Sequence, residues 1–152
     1  FYSTNTHLVK IRGGEGGGIP SLCEMEINIR FPPTKTGGEI LEKIDSVIQG
    51  FEGVDLQVGV TEAYESRRDS PIVLAAFRAI MKVRGEVAKL SRKTGTCDLN
   101  LLPKEVEGIS LGPGDPLLEH TDKEAIEVNQ YLEAIKIYEQ LVEELFTLEG
   151  IK

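Results

Sequence analysis

The strict alternation of apolar and polar residues in the segment LCEMEINIRF, residues 22–31, constrains the fold of this chain more than any other feature. A period of two residues is that of a β-strand, in which successive side chains point to opposite faces. The face predicted to be buried carries Cys23, Met25, Ile27, Ile29 and Phe31. The other face is polar, and a strand with one solvated face favours an antiparallel sheet.

Two more strands and one helix are predicted in the first region of the chain. Residues 6–12 and 54–61 alternate in the same way and are predicted strands. The buried side of the second of these carries Val54, Leu56, Val58 and Val60. Residues 39–49 are predicted to form a helix, because their apolar side chains recur at helical spacing. That apolar stripe consists of Ile40, Leu41, Ile44, Val47 and Ile48.

A change of pattern at Ser70 marks the second region. Serine is a favoured residue just before a helix, Pro71 suits the first helical position, and apolar residues follow at helical spacing. Short strands are predicted near residues 86–91 and 108–112, before a long last helix. The buried stripe of that helix is predicted to be Val128, Leu132, Ile135, Tyr138, Val142 and Leu145.

Strands that alternate with helices predict an α/β class for this second region. So few strands cannot form a closed, doubly wound domain, because a short sheet leaves apolar faces and edges uncovered. We therefore place a domain boundary between residues 1–68 and 69–152, and we expect the chain to be part of a longer protein.

Charge and composition argue against several classes of function. The chain has 17 Lys and Arg against 25 Asp and Glu, a net charge of -8 without a basic patch, so nucleic acid is not an expected partner. No apolar run approaches the roughly 20 residues that span a bilayer, so a membrane is not expected either. Cys23 and Cys97 have neither metal-binding spacing nor a disulfide pattern, which suits the cytoplasm. The glycine-rich segment 13–18 lacks the Lys and the following helix of a phosphate-binding loop.

Two loops are candidates for chemistry. Residues 93–100 and 111–124 each follow a predicted short strand, and ligands of open α/β sheets bind at the C-terminal ends of strands. In the second loop His120 is surrounded by acidic residues, namely Glu119, Asp122 and Glu124. Its imidazole is either a zinc ligand, with a carboxylate orienting its other ring nitrogen, or a surface histidine at an acidic helix start. Both interpretations stay open from the residues alone.

The sequence contains no complete catalytic constellation. A catalytic zinc needs about three protein ligands, and the other histidine, His7, is far away in the sequence. There is no HExxH or CxxC motif, and no arrangement typical of a Ser-His-Asp triad. The residues therefore predict part of a site at most.

Three segments resemble a known enzyme family. LCEMEINIRFPP, GTCDLNLL and GPGDPLLEHTDKEAIEVNQYLEAIKIYEQLVEEL are similar, in this order, to the lid and the C-terminal end of the acetylornithine deacetylase and succinyl-diaminopimelate desuccinylase family of zinc hydrolases. Within that family, KTGTCDLN is most similar to enzymes that release lysine or ornithine from an amino-group carrier protein. The resemblance implies the C-terminal part of an α/β catalytic domain, preceded by most of an α+β lid whose antiparallel sheet commonly forms a homodimer.

The resemblance also implies a metal-dependent amide hydrolase with two zinc or cobalt ions in the complete active site. Of the family's metal ligands only the last histidine maps here, onto His120, and the general base is expected upstream of this chain. The implied substrate is lysine or ornithine in an N-acyl form or linked to a small acidic carrier protein. A dipeptidase or carboxypeptidase of the same superfamily and a non-catalytic dimerisation module remain alternatives.

The resemblance further implies residues that hold the substrate. These candidates are Thr96, Asp98, Gly112, Gly114, Arg67 and Arg68. One of the two arginines would bind the substrate carboxylate, because a guanidinium grips a carboxylate at two points, and at least one of them is an exposed hinge charge. The alternative for Asp98 is a tight turn fixed by an Asx-type hydrogen bond.

Overall fold

The computed structural model describes residues 2–14, 18–19, 22–93 and 95–150. Contacts between Cα atoms divide the chain into two units, one ending at Tyr64 and the other beginning at Glu65. The predicted boundary after residue 68 therefore lies just inside the second unit. Residues 15–17 of the glycine-rich segment and Thr94 fall outside the described residues.

The first unit contains a two-stranded antiparallel sheet. Strands β1 (Asn5–Gly13) and β2 (Cys23–Arg30) pair from Asn5 opposite Arg30 to Gly13 opposite Cys23, with an irregularity between Leu8 and Lys10. Both strands were predicted, and the antiparallel pairing is confirmed. The alternation in sequence thus identified both elements correctly. Each of the two strands has the other as the neighbour with which it forms hydrogen bonds.

The predicted buried face of β2 is exposed. Cys23, Met25 and Ile27 are all accessible to solvent, and only Ile29 and Phe31 are partly covered. Alternation tells which side chains share a face, but burial requires a second layer against that face. Within the described residues no helix packs on β1 or β2, so this part of the prediction was wrong for the chain by itself.

Helix α1 (Gly37–Ile48) begins at a capping box. The Glu39 N–H donates to Thr36 Oγ1 at 3.2 Å, and the Thr36 N–H donates to Glu39 Oε2 at 2.7 Å. This reciprocal pair satisfies two backbone donors that have no partner within the helix. The predicted helix is confirmed, although of its predicted stripe Ile40 is buried and Val47 is 66% exposed.

Residues 54–61 have no regular secondary structure and do not form the predicted strand. The described part of the chain offers this segment no strand partner, and a β-strand is defined by its neighbour's hydrogen bonds. Its predicted buried side is exposed, at Val54, Leu56, Val58 and Val60. The segment leads to Glu62, whose Oε1 accepts a hydrogen bond from the Gly37 N–H at 3.0 Å and so lies at the start of α1.

The second unit is built on two packed helices, α2 (Pro71–Arg84) and α3 (Val128–Glu149). Pro71 occupies the first turn of α2, as predicted, and Gly85, with φ 69°, caps the helix after Arg84. Ser70 precedes the helix as predicted, but its hydroxyl makes no capping bond and is buried without a partner among the described residues.

The core of this unit lies between α2 and α3. Its buried apolar side chains are Val73, Ala75, Ala76, Ala79, Ala134 and Ile137. Arg84 near the end of α2 pairs with Glu133 near the start of α3, whereas Arg78 pairs with Glu144, so the two helices run in opposite directions. Small alanines allow the two backbones to approach closely.

The predicted face of α3 is not the face buried against α2. Five of its six predicted core residues are exposed, and only Leu145 is partly covered; the exposed ones are Val128, Leu132, Ile135, Tyr138 and Val142. The buried positions Ala134, Ile137 and Glu144 follow a separate helical stripe. Helix α3 therefore has two apolar faces, and periodicity alone selected the larger one, which has no neighbouring helix or strand within the described residues.

The strands predicted near residues 86–91 and 108–112 are irregular segments. Neither has a strand partner in the described ranges, so the α/β layer predicted for this region is replaced by helices and loops. The described secondary structure as a whole is a set of helices with one two-stranded antiparallel sheet. Among the helices described, none combines the length and apolar character that crossing a membrane requires.

Candidate functional site

The candidate loop that contains His120 is a chain of successive turns in front of α3. The Leu118 N–H donates to Asp115 O at 3.0 Å, the Thr121 N–H to Leu118 O at 3.1 Å, and the Glu124 N–H to Thr121 O at 3.0 Å. Tyr138 of α3 fixes the beginning of the loop, because its hydroxyl donates to Leu111 O at 2.9 Å. These bonds give the loop a defined path without regular secondary structure.

His120 adopts a left-handed backbone conformation with φ 62°, the sole residue other than glycine to do so in the described part of the chain. This conformation costs a residue with a Cβ atom about 1–2 kcal/mol, because Cβ approaches the following carbonyl oxygen. The His120 N–H donates to Glu124 Oε2 at 3.0 Å, and the side chain is exposed. An unfavourable conformation at a residue with a ligand-type side chain is a recognised mark of a functional position.

Two acidic neighbours of His120, Glu119 and Glu124, form hydrogen bonds with groups other than its imidazole. Within the described residues no carboxylate accepts a hydrogen bond from the imidazole; Glu124 instead binds the backbone N–H. Glu119 accepts a hydrogen bond from Lys93, which lowers the pKa of the Glu119 carboxyl. A carboxylate that orients the other ring nitrogen of a zinc-bound His120 therefore stays a prediction.

The Lys93–Glu119 ion pair brings the two predicted loops together. Lys93 is the first residue of the loop that carries Thr96 and Asp98, and Glu119 precedes His120 in the second loop. Lys93 is about half exposed and Glu119 somewhat less, so the pair is expected to hold the loops near each other while adding little to stability.

The loop at residues 95–98 exposes its two candidate side chains. Thr96 and Asp98 are both solvent-accessible, and Asp98 begins a short 3₁₀ helix, Asp98–Leu101. The Asx-type bond that was the alternative for Asp98 is not among the described hydrogen bonds; the turn is held instead by Asn100, whose Oδ1 accepts from the Cys97 N–H at 2.8 Å. Asn100 closes this turn, which leaves the Asp98 carboxylate without a described hydrogen-bond partner.

The two glycines of the second loop have different requirements. Gly114 has φ 98°, a conformation that side chains rarely adopt, whereas Gly112 would accept a Cβ without a neighbour within 4 Å. Both glycines are exposed. Their backbone groups are consequently accessible to a ligand.

The two candidate arginines are in different environments. Arg67 donates to both carboxylate oxygens of Asp69, from Nε at 3.0 Å and from Nη2 at 2.9 Å. This bidentate hydrogen bond lowers the pKa of Asp69. Arg68 is exposed and forms no ion pair with any residue that the structure describes. The Arg67 N–H also donates to Glu107 Oε2 at 3.2 Å, which ties the start of the unit to the segment before the glycine loop.

The described residues do not fit a complete metal centre. They contain no group of three or more His, Cys, Asp or Glu side chains placed to hold one ion. A catalytic zinc requires about three protein ligands, and His120 can supply one. His7 lies on β1 in the other unit.

Lys93 lies in a predicted loop, but sequence reasoning did not identify its pairing with Glu119 or the contact of Tyr138 with Leu111. Both act at long range, bonding to residues 26 and 27 positions away. No local sequence pattern predicts contacts between residues so far apart in the chain. The Glu124 bond to His120 spans four residues, and that short spacing was the one signal present in the sequence.

The fold is that of part of a metallopeptidase. The chain superimposes on the crystal structure of an M20 family metallo-carboxypeptidase, Sso-CP2 from Sulfolobus solfataricus, with a TM-score of 0.74 and 20% identity. The match covers 94% of this chain and 36% of that one. No protein-family model matches the chain.

Sequence comparison identifies more specific relatives. A candidate LysW-lysine/LysW-ornithine hydrolase of Pyrococcus furiosus is 42% identical over 124 residues, which is 80% of this chain and 33% of that protein. The LysW-lysine/LysW-ornithine hydrolase of Sulfurisphaera tokodaii is 35% identical over 130 residues, 83% of this chain and 36% of that protein. The chain is thus a homologue of these hydrolases within the M20 metallopeptidases, which confirms the resemblance found in the sequence. It spans about a third of the length of the curated relatives it matches.

Proposed function

We propose that this chain supplies substrate-holding loops and one metal ligand to a metal-dependent amide hydrolase that releases lysine or ornithine from an N-acyl or carrier-linked form. The observation that carries the proposal is the homology to LysW-lysine/LysW-ornithine hydrolases over 80% or more of the chain. A continuous match of that length necessarily includes the middle of the chain, and therefore most of both candidate loops.

His120 is the proposed metal ligand. Its exposed imidazole projects from a loop whose path is fixed by a series of backbone hydrogen bonds. A fixed ligand loses little conformational freedom when it binds, which favours affinity. The metal is proposed to be zinc or cobalt. The remaining metal ligands and the general base are proposed to be residues outside this chain, and no catalytic step is assigned to the residues described.

Arg68 is the better of the two candidates for the substrate carboxylate. The guanidinium of Arg67 already grips Asp69 at two points, so binding a substrate there would first break that pair. Arg68 has its guanidinium available. Thr96, Asp98 and the backbone of Gly112–Gly114 are the further groups proposed to hold the substrate amide.

The first unit is proposed to be part of a lid that associates with a second copy. Its sheet has only two strands, so one edge of each strand is unpaired within the described residues, and apolar side chains lie on its surface. Unpaired strand edges favour association with another strand.

The direct test is an activity assay of the complete hydrolase to which this chain is proposed to belong, with LysW-linked lysine as substrate. His120→Ala is expected to lower kcat/KM by more than the roughly 10–100-fold that loss of an outer-shell metal contact causes. His7→Ala is the matched control and is expected to leave kcat/KM unchanged. Near-normal turnover by His120→Ala would contradict the proposal.

The same assay separates the proposed substrate from its alternatives. Release of lysine or ornithine from carrier-linked or N-acyl forms supports the proposal, whereas exclusive cleavage of dipeptides would assign the chain to a different amide hydrolase. Arg68→Ala is expected to raise KM with a smaller effect on kcat, and Arg67→Ala to change KM less, because Arg67 is held by Asp69.

A further inference from the structure

We propose that Glu124 is a positioning residue for His120. Its carboxylate holds the His120 backbone in the left-handed conformation and thereby fixes the direction in which the imidazole leaves the loop. The inference rests on the proposed function only in assigning a metal-binding purpose to that direction. The structural claim itself stands on the contact between the two residues.

The contact is a hydrogen bond from the His120 N–H to Glu124 Oε2 at 3.0 Å. The backbone of Glu124 is anchored separately, because its own N–H donates to Thr121 O at 3.0 Å. The carboxylate therefore reaches back over one turn from a fixed base. A charged acceptor makes a stronger bond with a backbone N–H than a neutral one does.

No other described group performs this task. Thr121 also supports the turn: its hydroxyl donates to Leu118 O at 2.8 Å and accepts from the Lys123 N–H at 3.2 Å. Neither bond involves the His120 N–H. Removing the Glu124 carboxylate would leave most of the turn in place but deprive the left-handed residue of its acceptor.

The conformation of the backbone decides where the imidazole points. Left-handed and right-handed conformations direct the Cα–Cβ bond differently relative to the chain, so a change of φ swings the whole side chain. A metal ligand must be held within about 0.5 Å and 10–20° of its productive position. Loss of the Glu124 contact is therefore expected to weaken metal binding by about 10–100-fold, the usual effect of losing an outer-shell contact.

Two variants isolate the carboxylate, and one serves as the control. Glu124→Ala removes the acceptor, whereas Glu124→Gln keeps an oxygen that can accept from the His120 N–H. Asp122→Ala removes a nearby carboxylate that makes no hydrogen bond to His120. Glu124→Met, which keeps a long side chain without an acceptor, replaces Glu124→Ala if that variant does not fold.

The primary measurement is NMR of the isotope-labelled 152-residue chain. Backbone shifts and Hα–Cα couplings report the sign of the His120 φ, and amide exchange reports its hydrogen bond. The unaltered chain, Glu124→Gln and Asp122→Ala are expected to keep the positive φ. Glu124→Ala is expected to lose it and to exchange the His120 amide at least tenfold faster, with the Ala79 and Ala134 signals unchanged. A positive φ and unchanged exchange in Glu124→Ala would overturn the proposal.

A zinc titration of the same samples, and of the complete hydrolase after its metal has been removed, tests the proposed function separately. Zinc alone is added, and the His120 imidazole signals are followed in the unaltered chain and in the variants. Loss of the positive φ in Glu124→Ala supports the positioning role whatever zinc does. Imidazole signals that do not respond to zinc even in the complete hydrolase would count against the ligand role of His120 instead.

Discussion

Lys82 of α2 and Glu144 of α3 form an ion pair across the helix interface, and Arg78 reaches the same carboxylate at 3.4 Å. Glu144 is 7% exposed, so its carboxylate is held at the buried contact between the two helices. The hydrogen bond from Lys82 is the main reason that the pKa of Glu144 lies below its ordinary value, with Arg78 acting in the same direction. Two cations thus compensate a charge that would otherwise destabilise the interface.

The stability of the second unit is expected to depend on pH through Glu144. A carboxyl whose pKa is lower in the folded state stabilises that state at pH values above its unfolded pKa, near 4.5. That contribution is lost as the pH falls through the lower folded pKa. Urea unfolding between pH 7 and pH 2 should show this loss in the unaltered chain and less of it in Glu144→Gln.

Glu139→Gln is the control for that measurement, since Glu139 lies exposed on the same helix. It should reproduce the pH dependence of the unaltered chain. Glu144→Gln should also lower the unfolding midpoint at pH 7, because Lys82 and Arg78 lose their common anion. Equal midpoints for the two variants would contradict a structural role for the pair.

The two faces of α3 are expected to differ in their response to truncation. Ile137 is 4% exposed against α2, whereas Ile135 is 43% exposed on the opposite face. Ile137→Ala should lower the free energy of unfolding by about 2–4 kcal/mol, the cost of lost burial plus a cavity. Ile135→Ala should cost less than about 1 kcal/mol in the chain by itself. Urea unfolding measures both, and a larger loss for Ile135→Ala would mean that α3 packs through the other face.

A side chain at position 37 is expected to be destabilising. A Cβ there would meet Val60 Cγ1 at 2.4 Å and Glu62 Oε1 at 2.9 Å, whereas at Gly38 the nearest atom is Thr36 Oγ1 at 3.8 Å. Gly37→Ala should lower the free energy of unfolding by about 1–3 kcal/mol through overpacking. Gly38→Ala is the matched control and should raise it by up to about 1 kcal/mol, because alanine favours a helix. Thermal unfolding measures the change in stability of each variant, which should be a loss for Gly37→Ala and a gain for Gly38→Ala.

The folded chain is expected to be more stable with glycine at position 120 than with the histidine found there. Glycine adopts a positive φ without the cost of about 1–2 kcal/mol that a Cβ imposes, so His120→Gly should raise the free energy of unfolding by up to about 1 kcal/mol. Asp122→Gly, at a residue with negative φ, should lower it by roughly 0.5–1 kcal/mol. Chemical denaturation tests the pair, and a marked loss in His120→Gly would mean that the imidazole itself stabilises the loop.

Local sequence patterns predicted most of the elements correctly. β1, β2, α1, α2 and α3 all lie where the periodicity placed them, because a period of two or of 3.6 residues and the signals at helix starts act over a few neighbouring residues. The predicted strands at residues 54–61, 86–91 and 108–112 failed for a different reason. A strand exists only if another strand pairs with it, and the described chain contains no such partner.

The candidate site shows the same division. The sequence indicated His120, its acidic neighbours and the two loops, because residue type and order are enough to suggest a ligand and to reveal relatives. It did not reveal that Asp69 accepts hydrogen bonds from the Arg67 guanidinium or that Glu124 accepts one from the His120 backbone N–H. Those contacts depend on turn geometry that residue types alone do not fix.

What the sequence by itself determined is the position of β1, β2 and the three α-helices, and the family to which their order belongs. Tertiary structure decided which face of each element is buried. Helix α3 has two apolar faces, and only the position of α2 selects the one with Ala134 and Ile137. The physical reason is that periodicity depends on one segment, whereas burial depends on where a second segment of the chain lies.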